Sequence, residues 1–301
     1  MTATVPDAVR TPYRRSGATR FALWAQRLGW RHAVMWVVAA FAVFPVMFVV
    51  SAALNPVGTL SSSQLWPTGA SLANAQDLFQ NTPFTTWYAN SLFFALTNAV
   101  VTVMLSALAA YAFSRMRFKG RRVGLIGLLI IQMFPQFLAI VAIYLMFSNI
   151  GELYPAIGFD TRWGLLLVYL GGALSINTWL MKGFFDTVPK ELDESAQIDG
   201  ATHAQVFFRI MLPLVTPVLA IVALLVFIAT INEFLMASVF LRDTDAKTLG
   251  LGLYQLVASQ RNANFGMFAV GAIMLSLPTL IVFWFLQRYI SDGLTAGAVK
   301  G

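Results

Sequence analysis

Few side chains in this sequence are equipped for chemistry, and the densest group lies in TVPKELDESAQIDGATHAQVFFRIMLP, residues 187–213. Thr187 and Pro189 open a short helix there. Pro189 suits a first turn, where amides have no internal partner. Glu191, Asp193 and Glu194 follow early in the helix, where negative charge meets the positive end of its dipole. Gly200 fits a left-handed C-cap, and Thr202 with Gln205 forms a capping box for a second helix. That helix runs through Val206, Phe207 and Ile210 towards Pro213. The spacing predicts two short helices joined by a slim turn, kept narrow by Ala196 and Ala201. Such a bump has two readings. It enters a cleft on another protein and passes force to its flanking segments, or it lies on the lipid surface as an amphipathic connector.

Glu233 is the one acid inside an apolar run that reads as a membrane span. An ionised carboxylate is expensive there, so it must face protein, water or a paired group. With Asn232 it reads either as part of a translocation path or as an interhelical hydrogen bond that fixes packing. Asn90, Asn98, Gln132, Gln136 and Asn177 are further embedded amides, suited to sugar hydroxyls or to packing. Catalytic chemistry is harder to build. There is no cysteine, and the 2 histidines, His32 and His203, are far apart in sequence. That excludes disulfides, thiolate sites and a histidine metal cluster. No G-x-x-x-x-G-K-[ST] loop exists to cradle a nucleotide. The chain is expected to be non-catalytic, with no metal or cofactor of its own.

The elements that position these residues follow from composition. The chain of 301 residues is 58% hydrophobic and 11% charged, against about 25% charged in an ordinary soluble domain. A helix crosses the hydrocarbon core in about 20 residues. Six segments qualify: His32–Leu54, Trp87–Phe113, Val123–Phe147, Trp163–Phe185, Leu214–Leu241 and Met267–Ile290. Each must be helical, because lipid leaves no partner for an open backbone. The fold class is therefore an all-α integral membrane protein with six transmembrane helices and a structured loop at 186–213. Ser51-Ala52-Ala53 loosely resembles a cleavage region, but the apolar run before it is longer than a signal core, so the first span is expected to stay anchored.

Basic residues orient the bundle. Arg10, Arg14, Arg15, Arg20, Arg27 and Arg31 fill the N-terminal tail, and Arg115, Arg117, Lys119, Arg121 and Arg122 follow the second span. Lys182, Lys190 and Arg209 flank or lie in the 186–213 loop, with Arg288 and Lys300 near the end. Only Arg162, Arg242, Lys247 and Arg261 of the 20 basic residues fall on the other side. The positive-inside rule then places both termini in the cytoplasm. The expected organisation is a cytoplasmic tail at 1–31, a membrane domain at 32–290 containing the cytoplasmic 186–213 loop, and a cytoplasmic tail at 291–301. The net charge of +7 is thus a topology signal and not a nucleic-acid surface.

The loop also resembles the EAA signature of bacterial ABC importer permeases: E-A-A, three residues, G, nine residues, I, one residue, L-P. Here Glu194-Ser195-Ala196, Gly200, Ile210 and Leu212-Pro213 keep every interval, and Ser195 replaces the central alanine. From about Trp87 onward the chain is similar to the MalG-like group, the smaller permeases of maltose/maltodextrin ABC importers. AYAFSRMRFKG at 110–120, MFPQFLAIVAIYLMF at 133–147, YLGGALSINTW at 169–179 and INEFLMASVFLRD at 231–243 carry this likeness, with GLTAGAVKG at 293–301.

The resemblance implies a coupling helix seated on a separate ATPase subunit, with Glu194, Ala196, Gly200, Ile210, Leu212 and Pro213 as its signature. ATP and Mg2+ would then be bound by two partner ATPase subunits. A second permease and an extracytoplasmic sugar-binding protein complete the implied complex, which sits in the lipid of the cytoplasmic (inner) membrane. Gly297, Ala298, Val299, Lys300 and Gly301 match a tail that reaches the ATPase interface. The resemblance also implies that Gln260, Arg261 and Asn262 lie in a loop that would contact the binding protein. The implied cargo is maltose, maltodextrin or a related oligosaccharide, with trehalose or another glycoside as the alternative. A secondary transporter or channel is the rival class.

Overall fold

The computed structural model describes residues 28–57, 59–60, 63–67, 69–258 and 264–298, with the backbone alone for residue 136 and residues 290–298. The chain divides into two units, Met1–Val49 and Val50–Gly301. Helix α1 (Trp30–Leu54) begins in the first, is apolar almost throughout and carries Pro45 within it. Its last turn belongs to the second unit, where Ser51, Ala52 and Ala53 are buried. There Asn74, on the short helix α2 (Ala73–Asn81), donates to the carbonyls of Ala53 and Asn55 at 3.0 and 2.7 Å.

The centre of the second unit is α3 (Phe84–Arg115) packed against α6 (Arg162–Thr187) and α9 (Thr216–Ile231). Lipid offers little hydrophobic drive between helices, so close approach and hydrogen bonds hold them. The sequence of α3 supplies both. Ala95, Ala99, Ala107 and Ala110 give a narrow buried stripe. Asn98 donates to Thr230 Oγ1 at 2.8 Å across to α9, and Thr102 donates to Asn98 at 3.1 Å. Asn177, by contrast, donates to the Ala173 carbonyl of its own helix.

Among the described residues, four helices are long and apolar enough to cross a membrane: Trp30–Leu54, Phe84–Arg115, Arg162–Thr187 and Phe265–Tyr289. Two broken pairs raise the number to six if each pair crosses once. Both broken pairs fall where the sequence carries proline, at Pro135 and at Pro213 and Pro217. The third is split into α4 (Arg121–Met133) and α5 (Gln136–Leu153). Pro135 brings no amide donor and holds the residue before it extended, as the φ −74° and ψ 126° of Phe134 show. The fifth begins with a bend of 78° after Leu214. Pro217 starts α9 in its first turn and does not kink it. At the other end α9 stops at Ile231, and α10 (Leu235–Phe240) follows after a three-residue break.

Further on, α11 (Leu249–Ala258) is a short apolar helix against α3 and α12 (Phe265–Ala298). Pro278 sits inside α12 without ending it. The backbone of α12 runs on to Ala298, so the expected tail at 291–301 is helical over most of its length. Residues 291–298 contain no proline, and the helix continues through Gly293 and Gly297 although glycine is a poor helix former.

Candidate functional site

The 188–214 segment has the two-helix form its sequence calls for. Helix α7 (Glu191–Ile198) carries Glu191, Asp193 and Glu194 in its first turn. Gly200 adopts φ +83°. Its amide donates to the Gln197 carbonyl at 3.0 Å and the Ala201 amide to the Ala196 carbonyl at 2.9 Å. These two bonds form a Schellman cap, which requires the left-handed residue. Thr202 and Gln205 then make the reciprocal capping box of α8 (His203–Val206). A π-helical stretch, Phe207–Met211, carries the chain into Leu212–Leu214.

One face of this segment is bolted to the bundle. Val206, Phe207 and Met211 are buried with Met181, Phe185 and Tyr111, and Ala196, Ala201 and Leu212 pack against the same cluster. Tyr111 lies 5.3 Å from the Phe207 ring and 6.4 Å from Phe185. Ile210 is half-buried. The opposite face is open: Glu194, Gly200 and Pro213 are exposed, and Ile198 at the turn is 86% exposed. The signature residues therefore divide, with Ala196 and Leu212 packed against the bundle, Ile210 half-buried, and Glu194, Gly200 and Pro213 exposed.

Sequence reasoning missed what secures α7. Arg115, the last residue of α3, sits against Asp193 with Nε 2.5 Å from Oδ2, and the two side chains are only 6% and 8% exposed. The contact is ionic, without hydrogen-bond alignment. Arg115 also donates through Nη2 to the Val188 carbonyl at 2.7 Å. Beside it Ser114 donates to Asp186 at 2.6 Å, and Lys182 bonds the other oxygen of Asp186 at 2.5 Å. Removing one partner of a buried ion pair typically costs about 3–5 kcal/mol. Arg115 closes an apolar span and Asp193 sits in a charged loop, so each is visible in sequence while their pairing is not.

Glu233 lies in the break between α9 and α10. Its Oε1 accepts from the Met236 amide at 2.8 Å, and its Oε2 accepts from the Ala237 amide at 3.0 Å. Oε2 also accepts from the Tyr169 hydroxyl of α6 at 2.7 Å. The carboxylate thus caps α10 and joins it to α6. Asn232 is exposed and donates to the Ile228 carbonyl of its own helix at 2.8 Å.

At the N-terminal end of α3 the side chains hold a second non-local segment. Trp87 Nε1 donates to the Thr244 carbonyl at 2.7 Å, and Asn90 donates to the carbonyls of Asp245 and Lys247 at 2.8 and 3.0 Å. Arg162 donates to Asn90 Oδ1 at 3.0 Å. A polar cavity of about 510 Å³ opens here, lined by Asn90, Asp160, Arg162, Asp243, Thr244 and Asp245 among others. Gln260, Arg261 and Asn262 lie outside the described residues, as do Val299, Lys300 and Gly301. Gly297 and Ala298 end the α12 backbone. Among the described residues, no group of three or more acidic, histidine or cysteine side chains is placed to hold a metal ion.

Residues 102–294 match the family described as binding-protein-dependent transport system inner membrane component. The chain belongs to that family. It is 41% identical over 260 residues to the maltodextrin transport system permease protein MdxG of Bacillus subtilis, covering 86% of this chain and 91% of that protein. It is also 41% identical to the maltose/maltodextrin transport system permease protein MalG of Escherichia coli K12, over 91% and 96% of the two chains. The galactooligosaccharides transport system permease protein GanQ of Bacillus subtilis is 36% identical over 91% and 96%. A chain of a bacterial ABC transporter involved in the import of the acidic polysaccharide alginate superposes with a TM-score of 0.73. At 24% identity, over 93% of this chain and 99% of that one, this likeness shows the permease fold. The family match includes the whole 188–214 segment.

Proposed function

We propose that this chain is the smaller permease subunit of an ABC importer that carries maltose, maltodextrin or a related oligosaccharide across the cytoplasmic membrane. It works with a second permease, two ATPase subunits that bind ATP and Mg2+, and an extracytoplasmic sugar-binding protein. The observation that carries this reading is the 41% identity to maltodextrin and maltose permeases over nearly their whole lengths. Both termini and the 188–214 segment face the cytoplasm in this reading, in keeping with the basic residues beside them.

In this assembly the open face of the segment, with Glu194, Gly200 and Pro213, docks on an ATPase subunit. Its packed face transmits motion to α6 and α9. Closure of the nucleotide-bound ATPases rocks the permeases to open the path outward, and hydrolysis resets it inward. Gly297 to Gly301 contact the ATPase pair, and Gln260, Arg261 and Asn262 meet the binding protein. Asn232 and Glu233 belong to the translocation path or to the packing that shapes it. The three bonds made by the Glu233 carboxylate favour packing.

A second reading keeps the machine and changes the cargo to another glycoside, favoured by the 36% identity to the galactooligosaccharide permease. Uptake of labelled maltotriose, galactotriose and trehalose into proteoliposomes holding the full complex and ATP tests both. ATP-dependent maltotriose uptake is the expected result. Uptake of another glycoside alone moves the assignment to the second reading. Uptake by this chain without any ATPase overturns both.

A further inference from the structure

We propose that Arg115 is a positioning residue that ties the 188–214 segment to α3, so that a push on the segment reaches the far end of that helix. The inference rests on the docking reading above. The segment continues covalently into α6 and α9 alone. Helix α3 is joined to it only through space, although it is the helix around which both of them pack.

Two kinds of contact make that join. The second half of the segment lays Phe207 against Tyr111, an apolar contact that can slide. The first half is held by a buried ion pair and an aligned hydrogen bond. Arg115 reaches Asp193 on α7 and the Val188 carbonyl before it, while Ser114 holds Asp186 at the end of α6. A guanidinium with two fixed partners, shielded from water, resists sliding in a way that ring contacts do not. Displacement of α7 must therefore pull on the end of α3.

The other end of α3 grips a different segment. Trp87 and Asn90 hold the carbonyls of Thr244, Asp245 and Lys247, and Ser91 Oγ accepts from the Leu249 amide at 2.8 Å. From Trp87 to Arg115 the helix is roughly 42 Å long at 1.5 Å per residue. One helix thus clamps the ATPase-facing segment at one end and the segment on the binding-protein side at the other. Coupling between two sites through a shared element is reciprocal. The same strut that carries an ATPase stroke outward would carry the arrival of the binding protein inward.

The test uses the whole complex with Arg115→Met, Arg115→Lys and the exchange Arg115→Asp with Asp193→Arg. Assembly is read by co-purification of the ATPase subunits. ATP hydrolysis is read with and without sugar-loaded binding protein. Arg115→Met is expected to assemble and keep its unstimulated hydrolysis, with stimulation lowered by roughly five-fold or more. Arg115→Lys is expected to lie between this variant and wild type. Recovery of stimulation in the exchange supports the pairing, and an exchange that assembles yet stays unstimulated overturns it. Unchanged stimulation in an assembled Arg115→Met complex also overturns the proposal. If only the Lys variant assembles, reduced stimulation supports the proposal and a wild-type ratio overturns it. Loss of assembly in all three assigns the pair to folding alone and overturns it too. Failure of the docking reading itself reads differently, as normal assembly and coupling in a complex carrying Gly200→Val.

Discussion

The Tyr169 hydroxyl donates to Glu233 Oε2 at 2.7 Å and so joins α6 to the break between α9 and α10. The same carboxylate accepts from two amides of α10. Tyr169→Phe removes one of these three bonds and should destabilise by about 1 kcal/mol. Glu233→Gln keeps the shape but replaces one acceptor oxygen with a donor. Either the Met236 or the Ala237 amide then faces an NH2 group, and the loss should reach about 1–3 kcal/mol. If packing is the main role, uptake falls in step with the unfolding temperature of the complex for both variants. Abolished uptake in Glu233→Gln with an unchanged unfolding temperature would instead assign the charge to the translocation path.

How much of this was legible beforehand depends on the range of each interaction. The Gly200 cap and the Thr202–Gln205 box are set by neighbours within five residues, so their spacing announces them. The apolar runs announce helices because lipid permits little else. Pro135 marks its own break. The break at Asn232 carries no proline or glycine, and it forms where Glu233 finds Tyr169, 64 positions away. Arg115 and Asp193, and Asn90 and Asp245, are likewise pairs that only the packed bundle brings together. The division of the EAA signature into a packed and an open face also required the fold, since periodicity is interrupted by the π-helical stretch.

Gly200 separates backbone strain from steric docking. A Cβ added there meets nothing within 4 Å, so within this chain the only cost is the left-handed φ of +83°. Alanine should cost about 1–2 kcal/mol, and asparagine less, because it visits that region readily. Gly200→Asn is expected to keep the turn. If the open face docks on an ATPase subunit, Gly200→Asn and Gly200→Val should both weaken co-purification beyond what Gly200→Ala does. Co-purification that follows only the strain order, asparagine better than alanine, would mean that the turn is not enclosed by a partner.

Ser195 departs from the family alanine but is exposed, and its hydroxyl donates to the Glu191 carbonyl one turn back. Ser195→Ala restores the family residue and removes a bond that competes with the helix. It should change stability by no more than about 0.5 kcal/mol and leave stimulated hydrolysis at the wild-type level. Thr202→Ala is the contrasting case on the other side of the turn. It removes the cap from the Gln205 amide and should cost about 1 kcal/mol. Amide exchange over residues 191–206 in the two variants, with stimulated ATP hydrolysis measured for Ser195→Ala, checks both expectations.

Gly252 lies against the Trp87 ring so closely that an added Cβ would clash with its six-membered ring. The ring cannot simply swing away. It is 4% exposed, packed with Leu78, Phe84, Leu249 and Leu253, and tethered through Nε1 to the Thr244 carbonyl. Gly252→Ala must shift either the indole or α11, and overpacking of this kind costs about 1–3 kcal/mol. Shifting the indole breaks the Thr244 bond and loosens the segment that α3 holds at this end. The double variant Gly252→Ala with Trp87→Leu makes room for the methyl group and already lacks the bond, so its loss should fall short of the sum of the single losses. Unfolding temperatures of the three variants check this. Strict additivity would show that α11 absorbs the methyl group by moving as a whole, leaving Trp87 in place.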